Sequence, residues 1–188
     1  MADQVRGRLS PWLRRRRLEM VRPWLQGRVL DFGCGAASVL AELVPPERYL
    51  GVEVIPRNFE RALRSHPRHR FAPELPTGET FDTIASLAVI EHVPEPEQML
   101  RAFVARLAPG GQVVLTTPHA WFEWAHVLGA RVGIFDHAAE EEHQQLFTRS
   151  SLARVADAAG LRLVEYRRFL FGANQLFVLR ASGADQRR

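Results

Sequence analysis

The order of apolar segments predicts an open α/β sheet with helices on both faces. Three observations carry that reading. Val29-Leu30-Asp31-Phe32-Gly33-Cys34-Gly35-Ala36-Ala37-Ser38 reads as a short buried strand, a glycine turn and the start of a helix. Val, Leu and Phe favour the strand, and Gly33 and Gly35 allow a sharp turn and close approach of backbone to a ligand. Between residues 28 and 117, strand-like runs then alternate with helical ones, the pattern of parallel strands joined by crossovers. Last, residues 161–169 and 175–179 alternate as strands around the turn Phe171-Gly172-Ala173-Asn174.

Composition sets the outer bounds. The chain has 188 residues, which suits a single domain over 1–188, and its 46% hydrophobic content argues against disorder. No apolar run approaches the roughly 20 residues needed to span a bilayer. The arginine-rich start lacks a following apolar segment, so no signal peptide is expected and a cytoplasmic location is. Cys34 is the only cysteine, so no internal disulfide can form. It sits inside the glycine turn, where a small buried residue is expected rather than a catalytic thiol. The net charge is +4, and every basic residue is arginine. The run Arg14-Arg15-Arg16-Arg17 reads as a solvated helix face in preference to a contact with RNA or anionic lipid.

Taken in order, Ser10-Pro11 makes a good helix start for a leading helix over 10–26, with Leu13, Met20, Val21, Trp24 and Leu25 at helical spacing and Pro23 interrupting it. A strand over 28–32 and a helix over 37–43 follow, the helix stopped by Pro45-Pro46. Next come a strand over 49–54, a helix over 57–65, a short strand over 69–71 and a turn-rich loop over 72–80. Residues 81–87 form a strand, and Met99, Leu100, Phe103, Val104 and Leu107 line one face of a helix over 96–107. Pro109-Gly110-Gly111 ends it before a strand over 112–117. Residues 118–147 break the alternation with the aromatic segment Trp121-Phe122-Glu123-Trp124 and a polar run, and read as a substrate cover. Thr148 caps a helix over 149–159, Gly160 ends it, the two last strands follow, and 181–188 is a polar tail.

The motifs narrow the ligand. A dinucleotide turn would read G-x-G-x-x-G, but Ser38 stands at the third glycine. Asp31, two residues before Gly33, would repel a pyrophosphate and favour an ammonium group. Glu53 lies 22 positions after Asp31 at the end of the second strand, where a carboxylate can accept both hydroxyls of a ribose. Together with Ala88-Val89-Ile90-Glu91-His92-Val93 and Leu107-Ala108-Pro109-Gly110-Gly111, these segments resemble, in order, the motifs of the class I S-adenosylmethionine-dependent methyltransferases, with Ala37 where a third glycine is usual. Within that family the chain is most similar to small-molecule and quinone-type O-methyltransferases.

The resemblance implies a Rossmann-like, mostly parallel seven-stranded sheet in the order 3-2-1-4-5-7-6, with a C-terminal antiparallel hairpin, binding S-adenosylmethionine. It places Asp31, Gly33, Cys34 and Gly35 at the methionine part of the cofactor, Glu53 and Val54 at the ribose, and Ser86 and Leu87 near the sulfonium. The family's adenine-side Asp is missing, and Glu74 is the nearest carboxylate. Glu91 and His92 either orient substrate or cap the following helix. His143 resembles the histidine before the final helix in quinone-type enzymes and, with His92, is a candidate general base. His137 and His143 do not have the spacing of a helical ligand pair, and no metal is expected. The implied reaction is methyl transfer to a small-molecule hydroxyl. A non-catalytic S-adenosylmethionine-binding regulator, or a methyltransferase acting on RNA or protein, are the alternatives.

Overall fold

The computed structural model describes residues 15–119 and 145–183. A seven-stranded sheet runs through it in the order β3-β2-β1-β4-β5-β7-β6. The strands are β1 Val29–Phe32, β2 Tyr49–Val52, β3 Arg70–Ala72, β4 Phe81–Leu87, β5 Leu107–Pro118, β6 Leu161–Phe169 and β7 Asn174–Ala181. The first five pair in parallel, and β7 runs antiparallel to both β5 and β6. The ends of β1, β2, β4 and β5 therefore lie on one edge, where the crossovers leave a crevice for ligands. The antiparallel turn brings the start of β7 to the same edge, with Asn174 opposite Pro118.

Helices cover both faces. Residues 15–21 form α1, followed by α2 Pro56–Ser65, α3 Pro96–Val104 and α4 Arg149–Ala158. Alternate strand residues feed two cores. Leu30, Leu50, Ile84, Val113, Leu115 and Phe177 pack with Met99, Leu100 and Phe103 of α3 and Leu152 of α4. Val29, Ala85, Val114, Leu176 and Val178 pack on the other face with Val21 of α1 and Leu40. Period-two alternation thus sends neighbouring residues of each strand to opposite layers.

Two elements depart from the sequence expectation. The helix expected over 37–43 is a single 3-10 turn, Val39–Glu42. Ser38 just before it is left-handed, with φ 42, so the chain enters the turn from outside helical geometry and Pro45 stops it within a few residues. The helix expected to reach 107 ends at Val104, and β5 begins at Leu107, not at 112. Leu107 pairs with Phe81, and the register then shifts before Thr83 meets Gln112. Thr148 does cap α4, in a reciprocal capping box with Ser151.

Candidate active site

The β1–β2 corner is closed by hydrogen bonds from its own turn. Gly33 and Cys34 donate their N–H groups to the Val52 carbonyl at 2.8 and 3.1 Å. Gly35 donates to Glu53 Oε2 at 2.9 Å, and Ile55 donates to Glu53 Oε1 at 2.8 Å. Glu53 is 5% exposed, so one buried carboxylate ties the glycine turn to the end of β2. The outer side of Gly35 is open: among the described residues, a Cβ there would meet nothing within 4 Å. Val54 and Ile55, next along the chain, are exposed at 65% and 54%.

Asp31 lies beneath this turn, paired across to Gly51 and Ala85. It is buried and accepts a hydrogen bond from the Tyr49 hydroxyl at 2.9 Å. Burial pushes its carboxyl up from 3.8 to about 7, against the Tyr49 hydrogen bond and with some help from the Glu53 charge. Gly51 makes the contact possible, because a Cβ there would lie 2.6 Å from the Phe71 ring and 2.9 Å from the Tyr49 oxygen. Tyr49 was not among the site residues expected from sequence. The signal for it is a glycine inside an apolar strand, which marks a place where something approaches the backbone closely. Cys34 is buried, and burial first, then the Asp31 charge, push its thiol up to about 12. Both effects hold the thiol toward its neutral form.

The β4–β5–β7 part of the edge is different. Ser86 is buried and Leu87 half-buried at the end of β4. Ala88 turns left-handed there, φ 57, and donates its N–H to the Thr116 carbonyl at 2.8 Å. The turn Ile90–His92 that follows carries Glu91 inward, 2% exposed, and leaves His92 exposed. The N-cap residue of α3, Glu95, makes no side-chain hydrogen bond to the first turn. The Glu91 carbonyl instead accepts from Gln145 N–H at 2.8 Å, and the Gln145 amide reaches the Pro94 carbonyl at 3.2 Å.

The arginine run divides. Arg15 and Arg16 are exposed and pair with Glu19 of the same helix. Arg17 points the other way: it is half-buried, and its Nη2 donates to Asn174 Oδ1 at 3.4 Å. Burial lowers its pKa, and the Glu91 charge opposes that. Burial raises the Glu91 pKa, opposed in order by its own N–H, the Thr117 hydroxyl, and the charges of His92 and Arg17. Glu74 is exposed on its loop. His137, His143 and most of the expected substrate cover lie outside the described residues. Among the described residues no group of three or more histidine, cysteine or acidic side chains could hold a metal, and no helix is long and apolar enough to cross a membrane.

Residues 1–166 match a family described as a methyltransferase domain. The chain belongs to that family. It is 27% identical over 180 positions to a ubiquinone biosynthesis O-methyltransferase of Idiomarina loihiensis, covering 84% of this chain and 71% of that one. Two further proteins of that name are covered over 62% and 66% of their length. The fold is that of an S-adenosylmethionine-dependent methyltransferase from Clostridium acetobutylicum, with TM-score 0.69, 14% identity, and 90% and 91% of the two chains covered. It is also that of the magnesium protoporphyrin IX methyltransferase of Synechocystis, determined with bound S-adenosylhomocysteine, with TM-score 0.67, 15% identity, and 89% and 83% covered. Sheet order, motif order and family match make this a class I S-adenosylmethionine-dependent methyltransferase.

Proposed function

We propose that this methyltransferase transfers the methyl group of S-adenosylmethionine to the hydroxyl oxygen of a small molecule. The observation that carries the cofactor half of this reading is the Glu53 clamp. A carboxylate offers about four lone-pair directions. The N–H groups of Gly35 and Ile55 use two and fix the group in place. The remaining two form a rigid acceptor pair suited to the adjacent hydroxyls of a ribose. Val54 and Ile55 offer apolar surface beside it, and the open side of Gly35 leaves room for the methionine part. Asp31, in its ionised form above about pH 7, would supply negative charge beneath the turn toward an ammonium group. The residues present thus fit S-adenosylmethionine.

Bound there, the cofactor supplies a methyl group on a sulfonium, which carries its own leaving group. The protein is left with orientation and exclusion of water. Ser86 and Leu87, at the end of β4, border the place where methyl and acceptor would meet. The proton of the acceptor hydroxyl has two candidate takers, His92 beside Glu91 and His143. The hydroxyl acceptor is supported by the O-methyltransferase relatives and by the polar, buried β4–β5 edge.

Isothermal titration with S-adenosylmethionine, S-adenosylhomocysteine and NAD tests the cofactor assignment. The first two bind and NAD does not. Glu53→Ala removes the charge-assisted hydrogen bonds from Gly35 of the turn and from Ile55 along with the ribose acceptor, and affinity falls by about 1.5–3 kcal/mol. An unchanged affinity would refute the role given to Glu53.

A further inference from the structure

Buried polar atoms in folded proteins nearly always have hydrogen-bond partners. Among the described residues, the buried side-chain atoms without one include Arg17 Nε, Ser86 Oγ, Glu91 Oε2, Thr116 Oγ1 and Thr117 Oγ1. Of these five, all but Arg17 belong to the ends of β4 and β5 or the turn after β4, and Arg17 reaches the same edge through Asn174; the other two such atoms, His66 Nδ1 and Gln112 Oε1, lie elsewhere. Ser86, Glu91, Thr116 and Thr117 are each no more than 2% exposed, so water at the surface does not satisfy them. Such a concentration at the crevice of an α/β sheet marks a place shaped for a ligand.

Arg17 and Glu91 are its charged members. They arrive from opposite faces of the sheet, α1 packing through Val21 in one core and the Glu91 turn through Ile90 in the other. Arg17 Nε carries a donor with no acceptor among the described residues, and Glu91 Oε2, close to the Thr117 hydroxyl, accepts no hydrogen bond of good geometry. We propose that Arg17 Nε and Glu91 Oε2 together bind the methyl acceptor through one neutral hydroxyl, which donates to the carboxylate oxygen and accepts from the guanidinium N–H. The proposal deepens the function given above and rests on it.

The chemistry of the two groups selects the ligand. A carboxylate would meet Arg17 but face the Glu91 charge. An ammonium group would meet Glu91 but face Arg17. A hydroxyl both donates and accepts through a single atom and adds no charge. Burial acts against the charged form of both residues, and each one's charge opposes that shift in the other. The two are therefore a desolvated, mutually dependent pair, in which an added net charge would be costly. Arg17 is a substrate-binding residue that the sequence hides inside a surface charge run.

The test is a ligand-observed NMR titration of the full chain, with and without saturating S-adenosylhomocysteine, using phenol, cyclohexanol, benzoate and benzylamine as probes. At least one hydroxyl probe binds the wild-type complex tenfold or more tighter than benzoate and benzylammonium. Arg17→Gln and Glu91→Gln each weaken that binding at least tenfold, while S-adenosylhomocysteine affinity stays within twofold of wild type, which also reports that the variants are folded. Arg17→Lys, which keeps the charge but loses the Nε–H position, is a second variant on the same side chain and weakens hydroxyl binding as well. Failure of both hydroxyl probes to bind would overturn the proposal. So would tighter binding of either charged probe, or unchanged hydroxyl binding in a variant that still binds S-adenosylhomocysteine. A wild-type protein that does not bind S-adenosylhomocysteine would instead sink the cofactor reading, whatever phenol does.

Discussion

The two halves of the sheet edge are built on opposite terms. At the β1–β2 corner the polar groups answer one another: Gly33 and Cys34 to Val52, Gly35 and Ile55 to Glu53, Tyr49 to Asp31. At the β4–β5–β7 part, hydroxyls and a carboxylate oxygen are buried without hydrogen-bond partners among the described residues. The first half is organised before any ligand arrives. The second half holds hydrogen-bonding capacity in reserve. A cofactor common to a whole family suits a fixed seat. An acceptor that differs from one enzyme to the next suits a place whose polar atoms are completed by the ligand itself.

The sharpest way to break that contrast is through Asp31, the most costly group of the organised half. Its carboxyl lies at about 7 in the folded protein against an ordinary 3.8. The folded state holds this proton more tightly than the unfolded chain does. The associated stability is therefore present below about pH 4 and is lost as pH rises through about 7, a swing of about 4 kcal/mol at most. Asp31→Asn keeps an oxygen for Tyr49 and removes the titration. In urea denaturation between pH 4.5 and 7.5, the variant gains on wild type steadily as pH rises. Parallel pH profiles would show that Asp31 titrates normally. Should Asp31 also hold an ammonium group, wild-type affinity for S-adenosylhomocysteine rises from pH 6 to 7.5 and the variant's does not.

A second test separates the two glycines of the turn. Both have positive φ, +70 at Gly33 and +66 at Gly35. A Cβ on Gly33 would come within 2.6 Å of Val89 Cγ2, whereas one on Gly35 meets open space. Gly33→Ala combines left-handed strain with overpacking against the segment after β4, at a cost of about 2–4 kcal/mol. Gly35→Ala carries the strain alone, about 1–2 kcal/mol. Thermal unfolding thus shows the larger loss at Gly33. Cofactor titration reverses the order, because the Gly35 methyl projects into the space left for the ligand. Equal losses in both measurements would mean that the turn is not seated against Val89.

Much of this was legible in the sequence, and the residues show why. The alternation of strand and helix gave an open α/β sheet, and the resemblance gave its strand order and the corner of Asp31, Gly33, Gly35 and Glu53, because a glycine turn after a buried strand leaves a local signature. The 3-10 turn at Val39–Glu42 was not legible, since the left-handed Ser38 that cuts the helix short is a tertiary choice. Nor was the division of the arginine run. Arg16 and Arg17 are neighbours in sequence but about 100° apart around a helix, and only the packing of α1 decides which one faces the sheet. Tyr49 meets Asp31 across 18 residues through parallel pairing, a contact that composition and periodicity do not encode.

The finest test concerns Thr117, where the reserve in the second half can be weighed directly. Its hydroxyl is close enough to Glu91 to favour the ionised carboxylate, yet it makes no hydrogen bond of good geometry. Thr117→Val preserves the branched shape and removes the oxygen. Had the hydroxyl been satisfied within the fold, its loss would cost about 1 kcal/mol. A buried hydroxyl without a partner gives that up in advance, so the substitution leaves stability within about 0.5 kcal/mol or raises it. The measurement is the denaturation midpoint of the two proteins without ligand, repeated with S-adenosylhomocysteine and phenol. A variant destabilised by more than about 1 kcal/mol without ligand would place Thr117 in a satisfied network and erase the distinction between the halves. A variant equal to wild type alone but less stabilised by phenol would mean that the hydroxyl is held free for the acceptor.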